Sequence, residues 1–135
     1  MAVRKEASQS IQPRIKGGQA PRVPIDTMHL AKQAMGDPGL ELEVLRLFDE
    51  VARVNFTRLE SSATVPELLR HLHTLKGASV GIGAWALAEH AHIMEDELKA
   101  GKPVNPEHIQ DIHMSVEEVR AFIARRIAEA GADAD

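Results

Sequence analysis

The sequence contains no cysteine and no tyrosine, and Phe48, Phe56, Phe122 and Trp85 are its only phenylalanine and tryptophan residues. Without thiols there is neither a disulfide framework nor a thiolate metal site, nothing favours secretion, and the cytoplasm is the expected location. No run of about 18 apolar residues occurs. Met1 to Lys16 lacks an apolar h-region, so a signal peptide and a membrane span are both unexpected. The scarcity of rings leaves the core to Leu, Ile, Val, Met and Ala, which stand in long segments with few Gly or Pro and favour helices over strands. At 135 residues the chain has the size of one domain.

The formal net charge of −4 is unevenly spread. Through Val23 there are five basic residues (Arg4, Lys5, Arg14, Lys16, Arg22) against one acidic, Glu6, so the remainder is strongly acidic. Nucleic-acid-binding domains carry a basic face, so an acidic body points away from that class and toward a protein partner.

Residues 1–24, rich in Gln, Ser, Gly, Pro and Arg, are expected to form a disordered basic tail. Asp26 offers an N-cap for a short helix carrying Met28, Leu30, Ala31, Ala34 and Met35 and ending near Gly36. Asp37-Pro38-Gly39 reads as a turn. A longer helix from about Leu40 to Ser61 follows, with Leu42, Leu45, Leu47, Phe48, Val51, Val54 and Leu59 at mostly 3- and 4-residue spacing. Thr64-Val-Pro-Glu67 has the pattern of a capping box and starts a helix that Gly83 can close. Ala84 to Lys99 predicts another, stopped by Gly101, and Asn105-Pro106 caps the last. The fold class expected is all-α: an antiparallel four-helix bundle over residues 25–130 with a short additional N-terminal helix, and a disordered C-terminus at 131–135.

In the third of these helices Leu68, Leu72, Leu75, Ser79 and Ile82 fall on one arc roughly 80° wide, the expected buried stripe. His73 lies near the opposite side, and Lys76, Gly77, Val80 and Ala84 fall within about 60° of it. Glycine inside a helix costs about 1 kcal/mol relative to alanine, so Gly77 asks for a reason beyond folding, and close approach of another surface supplies one. An exposed imidazole titrates near neutrality and can attack phosphorus, while a lysine one turn away can screen phosphoryl charge.

His73-Thr74-Leu75-Lys76-Gly77, with Ala78-Ser79, Gly83-Ala84 and Leu87-Ala88, resembles the signature of histidine-containing phosphotransfer (HPt) domains. The likeness extends to Ile25-Asp26, Met35-Gly36-Asp37-Pro38 and the leucine-rich stretch to Leu59, and covers roughly Ile25 to Ala130. It implies a four-helix bundle in a multistep two-component phosphorelay. In that reading His73 is the phosphoacceptor, Lys76 the phosphoryl-stabilising cation, and Gly77 the clearance for a partner, with Val80 and Ala84 in the docking strip. The partners implied are response regulator receiver domains and a hybrid histidine kinase. The chain would act as a monomeric carrier rather than an enzyme, holding no cofactor itself, with Mg²⁺ on the receiver. Family members often place a glutamine from the next helix near the histidine; the counterpart here is Glu95, a departure, with His92 as its rival.

Plainer readings compete. His71-Leu72-His73 and His90-Ala91-His92 suggest a metal, but residues two apart on a helix diverge by about 200°, so neither pair can chelate and no metal site is expected. His71 and His90 read as packing residues, and Glu95-Asp96-Glu97 and Glu117-Glu118 as solvated faces. No glycine-rich nucleotide box is present, so phosphate must come from a partner. The alternative function on the same fold is an adaptor that binds or sequesters response regulators without exchanging phosphate.

Overall fold

The computed structural model describes residues 23–134. Apart from Val23 and Pro24, the tail expected to be disordered lies outside the described residues. Within them the chain forms five helices: α1 (Thr27–Gln33), α2 (Pro38–Glu60), α3 (Val65–Ile82), α4 (Trp85–Lys99) and α5 (Pro106–Ala134). No strand occurs among the described residues.

Local chemistry sets most of the boundaries. Asp26 Oδ1 accepts from the Met28 and His29 N–H groups, satisfying donors that the first turn of α1 cannot pair internally. Thr64 Oγ1 accepts from Glu67 N, and Glu67 Oε1 reaches back to Ala63 N, one residue earlier than a standard capping box. Asn105 Oδ1 accepts from Glu107 N at the start of α5. Asp37-Pro38 is not merely a turn: Asp37 Oδ1 caps α2 through the Gly39 and Leu40 N–H groups, with Pro38 as the first helical residue.

Gly83 ends α3 in the left-handed region, at φ 84°, with Gly83 N donating to Val80 O and Ala84 N to Ser79 O, a Schellman arrangement. A β-carbon here would stand 3.1 Å from Asp26 Cβ and 3.2 Å from Asp26 O, so both conformation and space call for glycine. The helix runs through Gly77 and Gly81 without interruption.

The four long helices form a closed ring, α2 against α3, α3 against α4, α4 against α5 and α5 against α2. Arg120 of α5 pairs with Asp49 of α2, and Arg126 with Glu41, so numbering rises on one helix as it falls on the other and the two run antiparallel. Leu45, Phe48, Leu59, Leu72, Leu75, Leu87, Met94, Ile112, Val116 and Ile123 fill the interior. Each fully buried side chain of this kind contributes about 1.5–3 kcal/mol.

Helix α1 lies across one end, bringing Leu30 into the same core and packing on α2 and α3. Backbone and side chain both hold it there. Asp26 N donates to Gly83 O at 2.9 Å, Trp85 Nε1 donates to Asp26 Oδ2 at 3.0 Å, and His29 Nε2 lies 3.2 Å from Gly81 O. The Trp85 hydrogen bond holds the Asp26 carboxyl below the ordinary aspartate range; burial opposes it, and the His29 and Met28 N–H groups add to the lowering.

Three expectations need correction. Leu47, Met28 and Met35 are exposed, not part of the core. Residues 131–134 continue α5 instead of forming a disordered end, because the alanine-rich segment from Ala128 keeps helix propensity high through Gly131. Ala84 is 0 % exposed and belongs to the core, so it cannot line a docking strip. It follows the left-handed Gly83, where the angular register of α3 no longer applies.

Candidate functional site

The buried stripe of α3 is the one its sequence spacing requires: Leu68, Leu72, Leu75, Ser79 and Ile82 all face inward. His73 follows Leu72 by one residue, and this register turns its ring outward with 73 % of the side chain exposed. Gly77, one turn on, is exposed, and a β-carbon there would meet nothing within 4 Å. Val80 is half-buried further along the strip.

Lys76 does not point freely into solvent. Its side chain is 20 % exposed, and Nζ lies 2.7 Å from Glu95 Oε1 on α4. Glu95 is therefore no part of a solvated acidic face. Its side chain is 3 % exposed, held next to the inward-facing Met94 where α3 and α4 meet. His73 Nδ1 stands 3.4 Å from Glu95 Oε2, and Lys99 Nζ, one turn along α4, lies 3.4 Å from that same oxygen. One buried carboxylate thus faces three basic groups.

Burial pushes the Glu95 carboxyl up, but the hydrogen bond and charge from Lys76, joined by Lys99, outweigh it and hold the group below the usual glutamate value. Glu95 is ionised at neutral pH. A carboxylate facing Nδ1 favours the tautomer with the proton on that nitrogen, which leaves the lone pair on Nε2, across the ring. An exposed imidazole and a lysine one turn along the same helix are elements that transfer of a phosphoryl group requires.

Of the residues expected at the site, His73, Lys76, Gly77 and Glu95 come together, whereas Ala84 does not. His92 Nε2 lies 3.3 Å from Asp96 Oδ2 on its own helix. Lys99 was missed, although its position four residues after Glu95 on one helix is a recognisable pairing signal. The cluster of Asp26, His29 and Trp85 also escaped notice, since it joins residues 59 positions apart.

A cavity of about 140 Å³ lies elsewhere, between α4 and α5, lined by residues that include His90, Asp111 and Ser115 but not His73 or Lys76. Among the described residues no group of three or more His, Cys, Asp or Glu side chains is arranged to hold a metal ion, and no helix is long and apolar enough to cross a membrane.

No curated protein matches the chain. A family model described as Hpt domain matches residues 43–122. The matched stretch runs from α2 into α5, contains His73, Lys76, Gly77, Glu95 and Lys99, and spans more than half of the sequence; the chain therefore belongs to the Hpt domain family, helical phosphotransfer modules of two-component phosphorelays.

Proposed function

We propose that His73 accepts a phosphoryl group from the aspartyl phosphate of one receiver domain and passes it to the aspartate of another. The observation that carries this reading is the placement of His73, its side chain 73 % exposed and its Nδ1 3.4 Å from the buried carboxylate of Glu95.

In the accepting step the Nε2 lone pair attacks phosphorus, the bond from phosphorus to the aspartyl oxygen breaks, and the aspartate leaves as a carboxylate. The positive charge left on the imidazole is shared with its Nδ1–H, opposite Glu95 Oε2. Lys76 offsets the charge of the phosphoryl oxygens, and the delivering step is the same displacement in reverse. Gly77 gives the incoming domain room beside the imidazole, and Val80 lies in the surface it covers.

In this reading the receiver brings the Mg²⁺, a hybrid histidine kinase is the source of phosphate, and a monomer suffices because every residue invoked belongs to one chain. The setting is the cytoplasm, where receiver domains reside. The test is to incubate the protein with a phosphorylated receiver and follow acid-labile label. Label on the unmutated protein and none on His73→Gln is the expected result; equal labelling of both removes His73 from the role. Receiver binding that survives in His73→Gln, with no transfer by the unmutated protein, replaces the proposal with the adaptor reading.

A further inference from the structure

The arrangement around Glu95 raises a question of charge that His73 and Lys76 alone do not answer. Phosphorylation brings between one and two negative charges to a site that already contains an ionised carboxylate. Lys76 Nζ, 2.7 Å from Glu95 Oε1, then has two anions to serve. Glu95 cannot turn to water for relief, since its side chain is 3 % exposed.

With Lys76 as its only lysine partner, one of two things must follow. Either Glu95 takes up a proton and His73 Nδ1 loses the carboxylate that faces it, or Lys76 stays locked on Glu95 and the phosphoryl oxygens lose their counter-charge. Both weaken phosphohistidine.

Lys99 removes the dilemma. It approaches from the same helix as Glu95, one turn on, and lies 3.4 Å from Oε2. Both residues are on α4, so this pairing does not depend on the placement of α3. The other charged groups nearby are engaged elsewhere: Asp96 faces His92 Nε2 at 3.3 Å, and on α5 His108 Nε2 lies 3.0 Å from Glu97 Oε1. Among the described ion pairs, the basic side chains addressing Glu95 are therefore His73 and Lys76 from α3 and Lys99 from α4.

We infer that Lys99 is a positioning residue for phosphotransfer, keeping Glu95 charged and one oxygen neutralised so that Lys76 is free to turn an N–H toward the phosphoryl group on His73. This rests on the proposal that His73 is the phosphoacceptor. Lys99 acts through Glu95; none of the ion pairs joins it to the imidazole. Its side chain is 60 % exposed, so it is not needed to fill the core and its replacement leaves the bundle intact.

The experiment uses phosphoramidate, a small donor whose phosphorus Nε2 attacks with loss of ammonia, so that no docking is required. Rates of His73 phosphorylation are compared in the unmutated protein, Lys99→Met, Glu95→Gln, the double variant, and Lys102→Met, which removes an exposed lysine just beyond the end of α4. The carbon-13 shift of the Glu95 carboxyl is followed against pH in parallel.

Lys99→Met is expected to slow phosphorylation at neutral pH by about threefold to tenfold, the size of a charge effect of up to one pKa unit. It should also raise the titration midpoint of Glu95. In the Glu95→Gln background the same substitution should change nothing, and Lys102→Met should match the unmutated protein. An unchanged rate and midpoint in Lys99→Met, or an equal loss with and without Glu95, overturns the inference. Lys99-dependent labelling by phosphoramidate without labelling by any phosphorylated receiver leaves the inference standing and removes the phosphorelay reading instead.

Discussion

Lys76 Nζ crosses from α3 to within 2.7 Å of Glu95 Oε1 on α4, fastening the two helices together beside His73. In the proposed transfer the same lysine also faces the phosphoryl oxygens, so its removal should be felt in both stability and transfer. Lys76→Ala is expected to destabilise the protein by about 1–3 kcal/mol, because a buried carboxylate is left with the largely exposed Lys99 as its lysine partner. Transfer from a phosphorylated receiver should fall by about tenfold or more. Urea denaturation and label transfer measure the two effects; a variant as stable as the parent would show that the ion pair is energetically idle.

Under the proposed transfer, Gly77 is the position where folding and function should separate most cleanly. Nothing in the protein lies within 4 Å of where its β-carbon would be, and its backbone is helical, so Gly77→Ala should stabilise the isolated bundle by up to about 1 kcal/mol. Larger side chains at the same position should obstruct the receiver and reduce transfer, most for Gly77→Gln. Chemical denaturation against transfer rate decides the matter: if Gly77→Gln transfers at the parent rate, the clearance role is lost.

The same change at Gly83 should have the opposite sign. Gly83→Ala places a β-carbon at φ 84° and within 3.2 Å of Asp26 and His29, which should cost about 1–3 kcal/mol through backbone strain and displacement of α1. A thermal midpoint equal to that of the parent would refute this account of the α1 attachment.

Asp26 gives the fold an acid-sensitive point. Its carboxyl titrates below the ordinary aspartate value in the folded protein, chiefly through the Trp85 hydrogen bond. A group lowered on folding stabilises the native state above its unfolded pKa, about 3.9, and that contribution disappears as pH falls through the lower folded value. Asp26→Ala should therefore cost about 1–2 kcal/mol at pH 6–7, and the gap between variant and parent should narrow below about pH 4. Circular dichroism melts across that range test it; a gap that does not depend on pH rules out the ionised carboxyl as the source.

Where the deciding chemistry is local, the fold could be read directly from the sequence. Thr64, Gly83 and Asn105-Pro106 mark helix ends through contacts of five residues or fewer, and the leucine period of α3 placed His73 outside. The Asp37-Pro38 cap was equally local and was passed over, because the glycine after it suggested a turn. Ala84 failed for a different reason: an angular position holds only while the helix continues, and Gly83 ends it. Glu95 sits in an acidic triplet that looks solvated, and only the meeting of α3 with α4 buries the first of the three. Its contact with Lys76 joins residues on different helices, so no single-helix pattern reveals it. The attachment of α1 is less visible still, since Asp26 and Trp85 have no periodic relation.

Trp85 is the chain's only tryptophan, and there is no tyrosine. Ultraviolet excitation of the protein thus reaches one indole, hydrogen-bonded to the aspartate that fastens α1 to the end of α3. The molecule carries a built-in fluorophore at that junction, between about two and three turns of α3 away from His73. Its emission should register the lifting of α1 or the protonation of Asp26 without a label, and give a real-time optical signal for events at that end of the bundle.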